Sequence, residues 1–134
     1  MSKRILVVDD QEPLLSLLRM LLEDEGYKVS IMREGRGAFA SVQENPPDLV
    51  ILDLRLADAS GADILESLRA HEGTAEIPVI IYTAAVLEAE TMTNLINGNP
   101  MRYRNVAVLQ KPFEQDALLE RVRQMLTAPQ PLQS

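Results

Sequence analysis

Five short apolar runs alternate along this chain with segments of helical periodicity, and this alternation is what most constrains its fold. The runs are residues 5–8, 29–32, 49–52, 79–82 and 106–109. Four runs are continuous and mostly rich in Val and Ile, which is typical of strands buried on both faces of a parallel sheet. The second run alternates apolar and polar residues instead, as an edge strand does. The pattern predicts a doubly wound α/β domain with right-handed crossovers.

Five helices are predicted between and after these strands. The first begins near Pro13 and ends at Gly26, and its leucines recur at helical spacing. The second helix is predicted at 37–44, and the third begins after a capping Ser60. The fourth is predicted at 88–96, and the fifth carries a final apolar stripe. That stripe is Leu118, Leu119, Val122, Met125 and Leu126. With 134 residues the chain fits one domain, predicted at 3–126, followed by a tail at 127–134 that we expect to be disordered.

Composition excludes several classes of function. The formal net charge of −7 argues against nucleic acid or an anionic membrane as the main partner. Without cysteine the chain has neither a disulfide framework nor a thiolate site. Its N-terminus carries only a short apolar run before two aspartates, too short for a signal peptide or a membrane span. We therefore expect a cytoplasmic protein.

Polar residues follow four of the predicted strands at the point where each strand ends. Asp9 and Asp10 follow the first strand, Asp53 the third, Thr83 the fourth, and Lys111 comes shortly after the fifth. Ligands of open parallel sheets bind outside the carboxyl ends of the strands. We therefore expect three carboxylates, a hydroxyl and an ammonium to meet in one crevice.

This set of groups is suited to phosphoryl chemistry. Three adjacent carboxylates repel one another unless a cation joins them, and an all-oxygen ligand set favours Mg²⁺. The carbonyl of Arg55 could add a further oxygen. Lys111 and Thr83 would stabilise phosphoryl oxygens, and one carboxylate would remain free to attack phosphorus. Asp53 is preferred for this role, because it ends a central strand with Asp9 and Asp10 beside it. Each residue taken alone is better explained as a turn, a cap or a solvated charge, and only their shared position favours a site.

The chain resembles the receiver domains of two-component response regulators. The resemblance rests on "ILVVDDQE", "DLVILDLRLADASG", "VIIYTA" and "QKPF" in this order and spacing, and it covers residues 3 to about 126. It implies a flavodoxin-like fold, with a five-stranded parallel sheet in the order 2-1-3-4-5 and five helices. It also implies a cis peptide bond between Lys111 and Pro112.

The resemblance also implies a role for each site residue. Asp53 would accept a phosphoryl group from a phosphohistidine on a kinase or a histidine phosphotransfer protein. Asp9, Asp10, Asp53 and the Arg55 carbonyl would bind Mg²⁺, with Asp10 preferred as a direct ligand over Asp9. Thr83, helped by the Ala84 amide, and Lys111 would contact the phosphoryl group. The output would be altered binding to a protein target, or relay of the phosphoryl group, because nothing foldable follows Leu126.

Three departures from the family pattern stand out. Val108 occupies a position where receivers usually carry Tyr or Phe, and it cannot make the usual inward swing. An insertion at 97–105, "NGNPMRYRN", replaces a short Gly-Ala turn. Either it takes over from the missing aromatic switch or it is a tolerated surface insertion. Ala57 stands where a proline is common.

Three other functions compete with a phosphorylated switch. A phosphate-independent interaction module of the same fold is the main alternative, and the lost aromatic favours it. An aspartate-nucleophile phosphohydrolase would need an acid two residues after the nucleophile, where this chain has Arg55. A flavin carrier would need a phosphate-binding loop after the first strand, where this chain has Asp9 and Asp10. We therefore expect a protein that is not an enzyme in the usual sense.

Overall fold

A computed structural model describes residues 2–127 of the chain, in which five strands alternate with five helices. The strands are β1 (Arg4–Val8), β2 (Lys28–Met32), β3 (Leu49–Asp53), β4 (Val79–Thr83) and β5 (Val106–Gln110). The helices are α1 (Glu12–Asp24), α2 (Ala38–Glu44), α3 (Gly61–Ala70), α4 (Val86–Gly98) and α5 (Gln115–Thr127). The predicted domain boundary at 126 falls in the last turn of α5, and residues 128–134 of the predicted tail lie outside the described residues.

All five strands form one parallel sheet in the order β2-β1-β3-β4-β5, which confirms the predicted topology. In β3 and β4 every residue is buried, in agreement with their continuous apolar sequences, whereas β2, at the edge of the sheet, is only partly buried. Two apolar clusters cover the faces of the sheet. One packs α1 and α5 against it, and the other packs α2, α3 and α4. No helix within residues 2–127 is long and apolar enough to cross a bilayer.

Gly61 allows α3 to begin directly against the end of β3. Its amide donates a hydrogen bond of 2.9 Å to the carbonyl of Leu54. A Cβ atom at this position would lie 2.1 Å from the carbonyl oxygen of Asp53 and 2.7 Å from the Cα of Leu54. Since these neighbours are backbone atoms, they cannot rotate away. The first turn of α3 therefore fixes the carboxyl end of β3 only because residue 61 has no side chain.

The insertion at 97–105 is bound to the body of the domain. Its first two residues extend α4, and the rest forms turns that lead into β5. Tyr103 is only 4% exposed and packs in the cluster on the α3 and α4 face. Its hydroxyl donates to Glu66 of α3, to which Arg102 also donates at 2.7 Å. The insertion thus joins the end of α4 to α3, whereas Met101 is 74% exposed.

We expect the substitution Gly61→Ala to lower the free energy of unfolding by about 3 kcal/mol, because the added methyl group forces backbone apart in a packed region. Gly73→Ala is the matched control, since a Cβ atom there meets nothing within 4 Å and its φ is not positive. The control should be neutral or more stable by up to about 1 kcal/mol. Urea unfolding measures both. Equal stability of the two variants would contradict this account of α3.

Truncation of Tyr103 should also destabilise the domain. We expect Tyr103→Ala to cost about 3 kcal/mol in urea unfolding, because it leaves a cavity in an apolar cluster and removes a donor from Glu66. Met101→Ala, in the same segment, should change stability by less than about 0.5 kcal/mol because its side chain is exposed. If the two substitutions cost the same, the insertion is not anchored through Tyr103.

Candidate active site at the carboxyl ends of the strands

The structure brings the predicted site residues together at one edge of the sheet. Asp9 directly follows β1, Asp53 and Thr83 end β3 and β4, and Lys111 directly follows β5. Because all strands are parallel, these four residues share the carboxyl edge. A cleft of about 220 Å³ opens there, lined by Asp10, Gln11, Asp53, Arg55, Thr83, Ala84, Ala85 and Lys111.

Lys111 joins the carboxylates of two strands. Its Nζ atom lies 3.1 Å from Oδ2 of Asp9 and 2.9 Å from Oδ2 of Asp53, and it also donates to Oε1 of Gln11 at 3.2 Å. Asp9 is fully buried and Asp53 is 5% exposed. Because the ammonium lies close to both buried carboxylates, its positive charge offsets the repulsion between them. The ammonium therefore holds Asp53 in a fixed position at the floor of the cleft.

Tyr82 contacts both Asp9 and Lys111. Its hydroxyl donates a hydrogen bond of 2.5 Å to Oδ2 of Asp9, and Nζ of Lys111 lies 4.4 Å from the centre of its ring. Burial raises the pKa of the Tyr82 phenol, and the hydrogen bond to Asp9 raises it further. The phenol therefore stays protonated and acts as a donor. A cation above its ring adds a favourable interaction with the π face.

Asp10 also lines the cleft and is exposed. Its Oδ2 atom accepts a hydrogen bond of 2.7 Å from the backbone amide of Ala57, in the segment between β3 and α3. Asp9, by contrast, accepts from the Gln11 amide at 3.0 Å through Oδ1 as well as from Tyr82 and Lys111 through Oδ2. The two neighbouring aspartates are thus held by different parts of the molecule.

Arg55 contacts Asp53 through its backbone and α4 through its side chain. Its amide donates to Oδ1 of Asp53 at 3.1 Å, so both carboxylate oxygens of Asp53 are hydrogen-bonded. Its guanidinium forms an ion pair of 2.5 Å with Glu88 in the first turn of α4. The hydrogen bond from Arg55 lowers the pKa of Glu88, and the same bond raises the pKa of Arg55. Since both side chains are largely exposed, this pair adds little stability.

The segment between β3 and α3 is anchored a second time through Asp58. Its two carboxylate oxygens accept hydrogen bonds of 2.8 Å and 2.9 Å from the amides of Gly35 and Arg36, which precede α2. The Gly35 amide, together with that of Arg36, lowers the pKa of Asp58. The contacts of Asp58 and Gly61 hold this segment in place beside Asp53.

Thr83 is buried at the end of β4, and its Oγ1 atom accepts a hydrogen bond of 3.1 Å from the Ala85 amide. The amide of Lys111 donates to the carbonyl of Thr83 at 2.8 Å, which joins the ends of β4 and β5. The peptide bond between Lys111 and Pro112 is cis, as the family resemblance implied. Val108 lies in β5 beside Ile81 and is half-buried.

The donor set of the cleft fits Mg²⁺ in its chemistry. Asp10 and Asp53 line the cleft, and so does Arg55, two residues after Asp53. Within residues 2–127, no three acidic or histidine side chains are grouped closely enough to hold a metal ion by themselves. Mg²⁺ needs fewer, because it usually keeps several waters and binds one or two carboxylates. The assignment of Asp9, Asp10, Asp53 and the Arg55 carbonyl as its ligands stays a prediction.

Several contacts of this site were not foreseen from the sequence. Tyr82 gave one usable signal, because a tyrosine in a buried strand needs a partner for its hydroxyl. Gln11 and Glu88 carried no comparable signal, since polar residues at the start of a helix are usually solvated. The bond from Ala57 depends on a backbone amide, which residue type does not reveal, although the absence of proline at this position made a donor available.

Comparison with known proteins identifies the family of this chain. Residues 5–123 match the family model of the response regulator receiver domain. The DNA-binding response regulator MtrA of Mycolicibacterium paratuberculosis is 35% identical over 126 residues, which are 94% of this chain and 52% of that protein. The phosphate regulon transcriptional regulatory protein PhoB of Rhizobium meliloti is 37% identical over 131 residues, or 98% of this chain and 55% of that protein. The chain thus spans about half the length of these relatives.

Solved structures agree with the sequence relatives. The receiver domain of the sensor histidine kinase PA1611 from Pseudomonas aeruginosa, with a magnesium ion coordinated in its active site cleft, has a TM-score of 0.79 at 25% identity. The match covers 94% of this chain and 98% of that one. A CheY-like receiver domain protein from Methanospirillum hungatei has a TM-score of 0.76 at 27% identity, with 94% of each chain covered. This chain belongs to the response regulator receiver domains of two-component systems.

Proposed function

We propose that Asp53 accepts a phosphoryl group from a phosphohistidine on a sensor kinase or a histidine phosphotransfer protein, with Mg²⁺ bound in the cleft. The observation that carries this proposal is the contact of 2.9 Å between Nζ of Lys111 and Oδ2 of Asp53. The Asp53 carboxylate is buried, and it lines the cleft. A carboxylate fixed in this way is oriented for attack, and the ammonium lies where charge on a phosphoryl group would need neutralising.

The proposed step is a transfer between two nucleophiles. A carboxylate oxygen of Asp53 forms a bond to phosphorus while the bond from phosphorus to the imidazole nitrogen breaks. The imidazole nitrogen keeps the electron pair and takes up a proton. Lys111 and the hydroxyl of Thr83 donate to the phosphoryl oxygens, and Mg²⁺ supplies further neutralisation when bound by the acidic residues. The product is an acyl phosphate, which the chain itself would then hydrolyse.

The phosphoryl group would then alter binding to a protein target or be relayed onward. A phosphate-independent interaction module is the alternative, and the half-buried Val108 in place of an aromatic residue is the observation that favours it. Two relatives are named as a DNA-binding and a transcriptional regulator. Because this chain spans half their length, the expectation that it does not itself bind nucleic acid stays a prediction.

Phosphorylation at Asp53 is tested directly by intact mass. After incubation with Mg²⁺ and a small phosphodonor such as acetyl phosphate, we expect the wild type to gain the mass of one phosphoryl group and Asp53→Asn to gain none. Asp63→Asn, which removes an exposed carboxylate in the first turn of α3, is the matched control and should gain the same mass as the wild type. A wild type that gains no mass would support the interaction module instead.

Removal of the ammonium should slow this reaction. We expect Lys111→Gln to be phosphorylated at least about tenfold more slowly, because the phosphoryl oxygens lose a charged donor and Asp53 loses the group that positions it. Lys28→Gln, on the exposed edge strand β2, should react at the wild-type rate. Circular dichroism checks that both variants are folded. A folded Lys111→Gln variant that reacts within about twofold of wild type would show that the ammonium is not part of the site.

A further inference from the structure

The bond between Asp10 and Ala57 connects the loop after β1, where Asp10 lines the cleft, to the loop between β3 and α3. Oδ2 of Asp10, after β1, accepts from the amide of Ala57, between β3 and α3, at 2.7 Å. The two residues are 47 positions apart in the chain and both are exposed. The bond therefore depends on how the two loops are positioned and is open to competition from the solvent side.

This bond exists only because residue 57 has a backbone N–H group. A proline at the same position could not donate it. The departure from the receiver pattern noted in the sequence is therefore more than a change of side chain, since it adds a hydrogen-bond donor beside an acidic residue of the cleft.

Asp10 differs from Asp9 in what holds it. Both oxygens of Asp9 are occupied by donors in a buried environment, namely the amide of Gln11, the phenol of Tyr82 and the ammonium of Lys111. Within residues 2–127, the Ala57 amide is the one hydrogen-bond donor that the structure gives to Asp10. The resting position of the Asp10 carboxylate is thus set by a single, exposed bond.

We propose that Ala57 is a positioning residue whose amide, bound to Oδ2 of Asp10, holds this carboxylate against the loop between β3 and α3, so that a divalent cation competes with the amide for Asp10. This inference rests on the proposed function, in which the cleft takes up such a cation. It adds that residue 57 sets the affinity of the site, and that cation uptake releases the contact between the two loops.

The size of the effect follows from the competition. If the amide-bound position is the more populated one, the apparent dissociation constant exceeds the intrinsic one by the inverse of the fraction that is free. A hydrogen bond to a carboxylate at an exposed site corresponds to a bias of about threefold to tenfold. Removal of the amide should tighten cation binding by that factor.

Isothermal titration calorimetry with Mg²⁺ and with Mn²⁺ tests this on the unphosphorylated chain. We expect Ala57→Pro to bind both ions about threefold to tenfold more tightly than wild type, and Ala57→Ser, which keeps the amide, to bind them as wild type does. Equal or weaker binding by a folded Ala57→Pro variant would overturn the inference and leave the proposed function intact. A wild type that binds neither ion would contradict the cation uptake on which both rest.

A second measurement needs no substitution and decides the matter if the proline variant does not fold. Amide exchange with water, followed by NMR during a Mg²⁺ titration of the wild type, reports the Ala57 N–H directly. We expect exchange at Ala57 to accelerate as the cation saturates, because Asp10 leaves it, while the Gly35 amide, bound to Asp58, stays unchanged. Exchange at Ala57 that does not respond to saturating Mg²⁺ would overturn the inference.

Discussion

The contact of one ammonium with two buried carboxylates is the interaction on which this site depends. Asp9 directly follows β1 and Asp53 ends the neighbouring strand β3, and two anions held so close together out of water would repel strongly. Lys111 reaches them from β5, across the ring of Tyr82 on the intervening strand β4. The order of the strands thus decides which side chains meet. A different order would leave the same residues far apart, however well each strand formed.

The segment between β3 and α3 adds the second constraint, because it carries the backbone that follows Asp53, the proposed nucleophile. It is attached to the start of α3 through Gly61, to the loop before α2 through Asp58, and to α4 through Arg55. The bond to Asp10 completes these attachments on the side of β1. Preorganised groups of this kind lower the cost of reaching a reactive geometry. Of the four attachments, the one at Asp10 involves a predicted metal ligand, and for this reason we propose that it affects cation binding.

The strands were predictable to within one residue at each end, because short continuous apolar runs such as 49–52 are typical of buried strands in a parallel sheet. Helix ends were less certain. The fourth helix was predicted at 88–96 but spans Val86–Gly98, and no side chain caps its start. Asp9, Asp53, Thr83 and Lys111 were predictable because each lies next to a strand end. The contacts of Ala57, Asp58 and Tyr103 were not, since they depend on loop conformation and on backbone donors that residue types do not specify.

The central claim is that this arrangement makes one particular carboxylate, and not its neighbours, reactive toward phosphorus. Borohydride reduces an acyl phosphate of aspartate to homoserine, which marks the residue permanently. The most direct measurement is therefore tandem mass spectrometry of the chain after treatment with a phosphodonor, Mg²⁺ and borohydride. We predict homoserine at position 53 and none at positions 9, 10 or 58. Homoserine at any of those three positions, with none at 53, would contradict the account.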